Sequence, residues 1–191
     1  AASWTSSDRL RSDQGWLDGR FGGWLEGNAV VDPDGGVVDV LRADYRAGDR
    51  ELAAIVRIDP SGRRASFDPE RDFVELPGGC KKFTIRLDGE GGLYWTLGNI
   101  MTPGSQGYNV ERTRNTLALM SSPDLRAWSV RSIVLHHPDL DKHAFQYVDW
   151  QFDGADIVVA SRTAFDDGLG GAHNQHDANY MTFHRAQEFR A

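Results

Sequence analysis

Three segments of this 191-residue chain share a pattern of two β-rich runs joined by a turn that contains Asp. The first turn, Asp32-Pro33-Asp34-Gly35-Gly36, separates the apolar runs 29–31 and 37–41. Runs of this kind on either side of such a turn predict an antiparallel hairpin. The same pattern returns around the turns 88–92 and 153–156. The sequence therefore predicts three hairpins.

The spacing of the hairpins predicts a β-propeller. When the second runs are aligned, Arg42, Asn99 and Arg162 occupy equivalent places, at intervals of 57 residues (from 42 to 99) and 63 residues (from 99 to 162). A four-strand unit that repeats at this interval is typical of a propeller blade rather than of a sandwich. The further predicted strands are 3–10, 52–58, 64–67, 116–120, 128–135 and 179–184, with a turn at Ala47-Gly48.

The predicted fold class is all-β, with about three four-stranded antiparallel blades in one segment, 1–191. Residues 1–10 are expected to form the outer strand of a preceding blade. The blades are expected at 23–68, 78–136 and 144–191, the last one incomplete. Because propellers close with about 4–8 blades, we expect this chain to supply the C-terminal half of a larger propeller. The remaining blades would come from another chain or from sequence that precedes this one; the alternative is a smaller, self-contained β-fold.

Composition excludes several partners. The net charge is −7 and no basic cluster stands out, which argues against a nucleic-acid partner. No apolar run approaches the roughly 20 residues of a membrane-spanning helix, so no membrane partner is expected. The lone Cys80 excludes an internal disulfide and is interpreted as a small residue near a strand rather than a reactive thiol. The chain begins at Ala1 without an initiator Met, and localisation is left open.

Ionisable residues stand at both outer ends of the first hairpin. Glu26 enters the first strand and Arg42 leaves the second, so an antiparallel hairpin brings them together at the edge opposite the turn. Two interpretations remain open. The pair is either part of a functional site or a surface ion pair that contributes little to stability. If Glu26 is buried in a bowl near a Trp, its pKa would be raised, as a general acid requires.

The spacing from Glu26 to Asp34-Gly35 and on to Arg42 resembles a blade of the bacterial sialidase superfamily. The segments GGWLEGN, KKFTIR, RNTLALMSSPDLRAW, FQYVDWQFDG and SRTAFDDGLGGAHNQHDAN are similar to the C-terminal half of sialidase-like proteins. The resemblance implies a six-bladed propeller. It also implies that Glu26 assists a nucleophilic Tyr and that Arg42 is one of three arginines that bind a sugar carboxylate. Asn99 stands where a third arginine would be useful, which departs from that pattern.

The turn 122–128, SPDLRAW, resembles a degenerate Asp-box, a structural element of sialidase-like propellers. Asp124 is expected to cap turn amides, and Trp128 is expected to pack between strands. Both are interpreted as structural residues.

Tyr147 opens the inner strand of the third copy, near where a sialidase-like nucleophile would lie, and a core aromatic is the alternative. Asp149 is two residues on and is expected on the same face. Arg42 and Arg162 suit an anionic substrate, because a guanidinium fork binds a carboxylate through two hydrogen bonds. The alternative for both arginines is strand-end ion pairing with a residue such as Asp44 or Asp166.

The segment 165–179, FDDGLGGAHNQHDAN, lies directly after the second strand of its blade. Its glycines permit close approach of backbone to a ligand, and loops commonly carry function. His173 is predicted to act in acid/base chemistry. The alternative is a loop held by side chains that bond to its own backbone. The predicted substrate-binding residues of this segment are Asp166, Asp167, Asn174, His176 and Asp177.

His173, His176 and Asp177 could also seed a metal site, but without helical spacing this signal is weak, and no metal or other cofactor is assigned. The histidines at 136, 137 and 143 lie in a connector near Pro138 and are expected to be solvated.

The sequence thus predicts a sialidase-like glycoside hydrolase that acts on a glycan with an acidic or polyhydroxylated terminal sugar. Glu26, Tyr147, Asp149 and His173 are the predicted catalytic residues. The first alternative is a polysaccharide lyase for uronate-containing glycans, and the second is a propeller that binds glycans without turnover. A glycan-degrading role would favour secretion or the periplasm.

Overall fold

The computed structural model describes residues 3–45 and 50–191 and contains three antiparallel sheets. The predicted turn at Ala47-Gly48 lies outside the described residues. Within these ranges no helix is long and apolar enough to cross a membrane.

The sheets follow one another along the chain. The first has five strands, in which the order β1-β2-β3-β4 is extended by β5 pairing with β3; the second has the order β6-β7-β8-β9; the third has the order β10-β11-β12. The strands are β1 (Phe21–Val31), β2 (Val37–Tyr45), β3 (Leu52–Ile58), β4 (Ala65–Ser66), β5 (Phe73–Glu75), β6 (Thr84–Leu87), β7 (Tyr94–Asn99), β8 (Thr116–Ser122), β9 (Ser129–His136), β10 (Ala144–Asp153), β11 (Asp156–Ala164) and β12 (Tyr180–Ala186). The short helical elements are α1 (Trp16–Gly19) and a 3-10 turn at Pro103–Ser105.

The predicted fold class, an all-β propeller, is confirmed. The three predicted hairpins are the pairs β1–β2, β6–β7 and β10–β11. The turn residues explain why: Gly35, Gly92 and Gly154 all adopt positive φ, which glycine tolerates at little cost.

One predicted strand is wrong. Residues 3–10 have no strand structure. The backbone N–H of Asp8 donates to Arg63 O (2.9 Å), and the Asp8 carboxylate accepts from the N–H of Ala65 (2.7 Å). The segment therefore lies against the outer strand of the first sheet, held there by one aspartate rather than by a strand ladder. The sequence interpretation also missed β5.

The first strands of neighbouring sheets lie side by side. Asn28 on β1 donates to Phe83 O (3.0 Å) and accepts from the N–H of Ile85 (3.2 Å). Arg86 on β6 donates through Nε to Trp150 O on β10 (2.7 Å). These contacts place β1, β6 and β10 innermost, as the first strands of propeller blades.

Apolar layers fill the spaces between the sheets. Between the first two sheets, side chains such as Val40, Ile55 and Met120 are buried together, and between the second and third, Trp95 and Trp150 are. Such burial contributes about 25 cal/mol for each Å² of apolar surface removed from water, so these layers supply most of the free energy that stabilises the packing of neighbouring blades.

A fully buried lysine joins the first two blades. Lys81 Nζ lies 2.7 Å from Glu51 Oε1 and donates to Val110 O at 2.6 Å. Glu51 Oε2 in turn accepts from the N–H of Met101 (3.2 Å). One ion pair therefore fixes the connector 76–82 and the long loop 100–115 to β3 and its neighbours.

Two glycines allow the connector to approach so closely. A Cβ on Gly78 would lie 2.7 Å from Asn99 O, and one on Gly79 would lie 2.9 Å from backbone atoms of Leu52 and Leu76. Backbone atoms cannot yield as a flexible side chain can, so both positions require glycine.

We expect Lys81→Ala to lower the free energy of unfolding by about 3–5 kcal/mol, because it leaves the largely buried Glu51 carboxylate without its counter-charge. The exposed Lys142→Ala should change it by no more than about 0.5 kcal/mol. Urea unfolding of both variants measures the difference. Equal effects would show that the buried pair does not hold the blades together.

Candidate functional site

The ionisable side chains gather at the edge of the sheets where β1 and β10 begin and β2 and β11 end. Two loops between second and third strands rise from the same edge, 100–115 in the second blade and 165–179 in the third. The edge therefore receives residues from three blades, Arg42 and Arg162 among them.

Glu26 and Arg42 form the predicted pair. Glu26 lies in a bulge of β1 between Trp24 and Gly27, and its Oε2 is 2.7 Å from Arg42 Nη1. Arg42 is buried and also donates through Nε and Nη2 to Cys80 O (3.2 and 3.1 Å). The Glu26 side chain is 48% exposed, so the expected burial of this carboxylate is wrong.

Two guanidinium groups lie over the ring of Tyr147. The Cζ atoms of Arg114 and Arg162 are 5.2 and 5.1 Å from the centre of its ring. Tyr147 lies in a bulge of β10 and has φ 51°, a conformation that is rare for a residue with a Cβ. Such strain persists only where the surroundings enforce it and is typical of functional sites. The side chain is half-buried among polar partners, unlike a core aromatic.

Arg114 is the residue that sequence reasoning missed. It is 8% exposed, and burial lowers the pKa of its guanidinium, an effect that the neighbouring Tyr147 opposes. Nη1 donates to Gln146 Oε1 (2.5 Å) and Nη2 to Glu111 O (3.4 Å). Within residues 3–45 and 50–191, its buried Nε–H has no hydrogen-bond partner. A buried donor without a partner costs free energy, which a bound acceptor would recover.

Asn99 holds Arg114 rather than replacing it. Its Nδ2 donates to the carbonyl of Arg114 (3.1 Å), to Thr116 O (3.3 Å) and to Phe145 O (2.7 Å). The third arginine of the cluster thus comes from the loop before β8, fifteen residues after the place where the repeat predicted it. The basic segment RTRN, which lies immediately before a β-rich run, was the sequence signal that could have identified Arg114.

A pair of acidic side chains lies close to this cluster. Burial raises the pKa of Glu111, and the charge of Asp44 and a hydrogen bond with it raise that pKa further, against the opposing charge of Arg42. Both residues extend the polar network around Arg42.

His176 completes the surroundings of Tyr147. Its ring lies edge-on to Tyr147 with 6.4 Å between centres, and its carbonyl accepts from Arg162 Nη2 (3.3 Å). His176 Nδ1 is 3.3 Å from Asp177 Oδ1, and this hydrogen bond lowers the pKa of the Asp177 carboxyl. Of the predicted loop residues, His176 therefore makes a ring contact with Tyr147.

Other residues of this loop bond mainly to the loop itself. Asn174 accepts from the N–H groups of His176 (2.8 Å) and Asp177 (3.2 Å). Asp167 accepts from Leu169 and Gly171, and the first of these hydrogen bonds contributes most to lowering its pKa. These contacts favour the alternative in which side chains hold the loop in shape.

Among the described residues, three predicted site residues make no hydrogen bond or ring contact with Tyr147. Asp149 pairs with Arg86 of the neighbouring blade (3.1 Å). The bulge at Tyr147 shifts the register, so the expectation that Asp149 shares its face is wrong. Asp166 Oδ2 is 3.5 Å from His143 Nε2, and His173 is exposed.

A cleft of about 660 Å³ opens between the loops 100–115 and 165–179. This volume is typical of small-molecule sites. It is lined by Tyr108, Asn109, Arg112, Thr113, Arg114, Leu140, Asp141, Asn174, Gln175, His176 and Asp177.

His137, Asp139 and His143 lie close enough together to suggest a metal site. However, the two imidazoles stack at 3.6 Å with only 17° between their planes. His143 Nδ1 is 2.5 Å from Asp139 Oδ2, and His137 Nδ1 accepts from the N–H of Asp139 (3.1 Å). Lone pairs in parallel rings do not converge on one ion, so this donor set does not fit a metal. His143 is 6% exposed, so the expectation that it is solvated is wrong.

The SPDLRAW turn has the expected geometry. Asp124 Oδ1 accepts from the N–H groups of Arg126 (2.8 Å) and Ala127 (2.7 Å). Trp128 donates to Leu125 O (3.0 Å) and packs against the core between the first two sheets. Both residues act structurally.

Comparison with known proteins shows the fold alone. No family model and no curated protein matches the chain. It is similar to a Penicillium chrysogenum α-L-arabinanase complexed with arabinobiose (TM-score 0.62, 10% identity, 99% of this chain and 52% of that one). It is also similar to a Fusarium graminearum α-L-arabinofuranosidase with an iminosugar inhibitor (TM-score 0.58, 7% identity, 97% and 50%). A GH93 α-L-arabinofuranosidase of Fusarium graminearum with arabinobiose is a third (TM-score 0.52, 9% identity, 93% and 48%). The chain spans about half the length of these structures.

We expect Cys80 to resist alkylation in the native protein. Burial raises the pKa of its thiol to about 11, so roughly one thiol in a thousand is ionised at pH 8, and only the thiolate reacts. Iodoacetamide labelling followed by mass spectrometry should therefore proceed at the rate of unfolding. Rapid labelling of the native protein would show that the connector behind Arg42 is open.

Proposed function

We propose that this protein is a glycoside hydrolase of sialidase-like type that acts on a glycan with an acidic or polyhydroxylated terminal sugar. The observation that carries the proposal is that Arg114 and Arg162 both lie over the ring of Tyr147, and that Arg114 and His176, which contact this ring, also line the cleft. The likeness to arabinan-degrading enzymes supports a propeller fold that glycoside hydrolases use, and the arginines favour an anionic substrate over a neutral one.

In this proposal the arginines bind the substrate. The unpartnered Nε–H of Arg114 and the remaining donors of Arg42 and Arg162 receive a sugar carboxylate. Guanidinium–carboxylate hydrogen bonds are short and charge-assisted, and a partly dehydrated site strengthens them. His176, Asp177 and Asn174 at the cleft wall bind hydroxyl groups.

Tyr147 acts as the nucleophile. Its oxygen forms a bond to the anomeric carbon while the glycosidic C–O bond breaks, and the leaving oxygen takes up a proton from solvent water. Glu26 accepts the phenolic proton, the role that the sialidase resemblance gives it. Water then cleaves the glycosyl–tyrosine bond, so the anomeric configuration is retained. The two guanidinium groups stabilise the negative charge that develops on the phenolic oxygen.

A lyase is the second candidate, because His176 lies edge-on to Tyr147 beside Arg162. These residue types could neutralise a uronate carboxylate and move a proton. An unsaturated product that absorbs in the ultraviolet would identify a lyase and exclude the hydrolase. Binding without any turnover would identify a glycan-binding propeller.

We expect Arg114→Met to raise KM for an acidic glycoside about tenfold to a hundredfold, since hydrogen bonds to charged groups contribute about 1.5–3 kcal/mol. We expect Tyr147→Phe to lower kcat by at least about a hundredfold, because the nucleophile is lost. Arg185→Met, whose partners are the exposed Asp153 and the partly buried Asp156, is the matched control and should leave both constants unchanged. Steady-state kinetics with a panel of acidic and neutral aryl glycosides measures all three. A preference for a neutral arabinofuranoside would contradict the proposal that the terminal sugar is acidic.

We also propose that this chain supplies half of a six-bladed propeller. Its coverage of about half of similar structures supports this proposal. The mass and oligomeric state in solution test it: we expect a complex of two chains or a longer polypeptide. A stable, active monomer of 191 residues would contradict it.

A further inference from the structure

Gln146 is a buried amide whose hydrogen-bonding groups all point at the two walls of the cleft. It is 1% exposed and directly precedes Tyr147 on β10. Its Oε1 accepts from Arg114 Nη1 (2.5 Å), and its Nε2 donates to Gln175 O (2.8 Å) and His176 O (2.9 Å). The amide thus accepts one hydrogen bond through its oxygen and donates two through its nitrogen, and all three require the same orientation of the amide. Rotation of the amide by 180° would set its NH2 against a cation and its oxygen against two carbonyls.

These contacts connect the groups on both sides of Tyr147. Arg114 comes from the loop 100–115, and His176 comes from the loop 165–179. The carbonyl of His176 also accepts from Arg162 Nη2 (3.3 Å). Gln146 is therefore linked to Arg114 directly and to Arg162 through the carbonyl of His176.

We propose that Gln146 is a positioning residue that sets the positions of Arg114 and Arg162 over the ring of Tyr147 and holds the cleft wall 174–177 against the inner strand. It acts through these groups and does not contact the substrate. The inference rests on the proposed function for its kinetic consequence, while its structural part stands on the contacts alone.

The chemistry explains why glutamine is suited to this position. A glutamate would keep the contact with Arg114 but would turn a second anionic oxygen toward the carbonyls of Gln175 and His176. A methionine of similar volume would remove both contacts. The two substitutions therefore separate the effect on the arginine from the effect on the loop.

Gln146→Met should lower kcat about a hundredfold, since misplacing catalytic groups by about 1 Å has effects of this size. KM should change less. Gln146→Glu should lower kcat by a smaller factor. Amide hydrogen exchange of residues 174–178 should accelerate at least tenfold in both variants. The ¹⁵N signals of the Arg114 guanidinium should broaden or shift in the methionine variant and persist in the glutamate variant.

Two controls separate positioning from general stability. Gln151→Met changes an exposed glutamine on the same strand and should have no effect. Thr163→Val removes buried hydrogen bonds to Ser161 and Thr182, and should lower the thermal midpoint without changing kcat.

The outcomes distinguish this inference from the proposed function. If the wild-type protein cleaves no glycan, the proposed function fails, and hydrogen exchange with the guanidinium signals still decides the role of Gln146. If Gln146→Met does not fold, Gln146→Glu supplies the hydrogen-exchange and kcat measurements. Unchanged exchange at 174–178 in either variant, unchanged Arg114 signals in Gln146→Met, or a kcat loss no larger than that of Thr163→Val would overturn the inference.

Discussion

The buried ion pair between Lys81 and Glu51 is the contact on which the arrangement of the site depends. An ammonium with no exposed surface is stable only when a counter-charge and further hydrogen bonds replace its water, and Glu51 and Val110 O provide these. The pair fixes the loop that carries Arg114. The preceding residue, Cys80, offers its carbonyl to Arg42. One connector of the first blade thus sets the positions of two of the three clustered arginines.

Two bulges place the proposed catalytic side chains. Glu26 and Tyr147 both lie where the inner strand of a blade departs from regular pairing. A bulge changes the direction of a side chain that regular alternation would turn elsewhere. The same departure explains why Asp149 contacts Arg86 instead of the group around Tyr147. The positive φ of Tyr147 is consistent with a side chain held in place by its neighbours rather than by its own backbone preference.

The hairpins could be predicted from sequence because their turns contain glycines in positions that require positive φ, and because apolar runs flank them. The segment 3–10 could not be judged correctly, since in the described part of the chain it is held by hydrogen bonds of Asp8 with a distant turn. Arg114 could not be found from the repeat, because it belongs to a loop whose path is set by tertiary contacts with Lys81 and Asn99. The burial of His143 likewise depends on stacking with His137. Local sequence patterns thus predicted the hairpins. The partners of each side chain depended on contacts between blades, which local patterns do not show.

The most direct test of the proposed mechanism is covalent trapping of its glycosyl–tyrosine intermediate. A fluorinated glycosyl fluoride of an acidic sugar slows cleavage of the glycosyl–enzyme bond, so mass spectrometry of the proteolysed protein locates the attachment. If Tyr147 is the nucleophile, one sugar is attached to the peptide that contains Tyr147, and no sugar is attached in Tyr147→Phe. Turnover of the parent glycoside with attachment at a carboxylate such as Glu26 or Asp149 would contradict it.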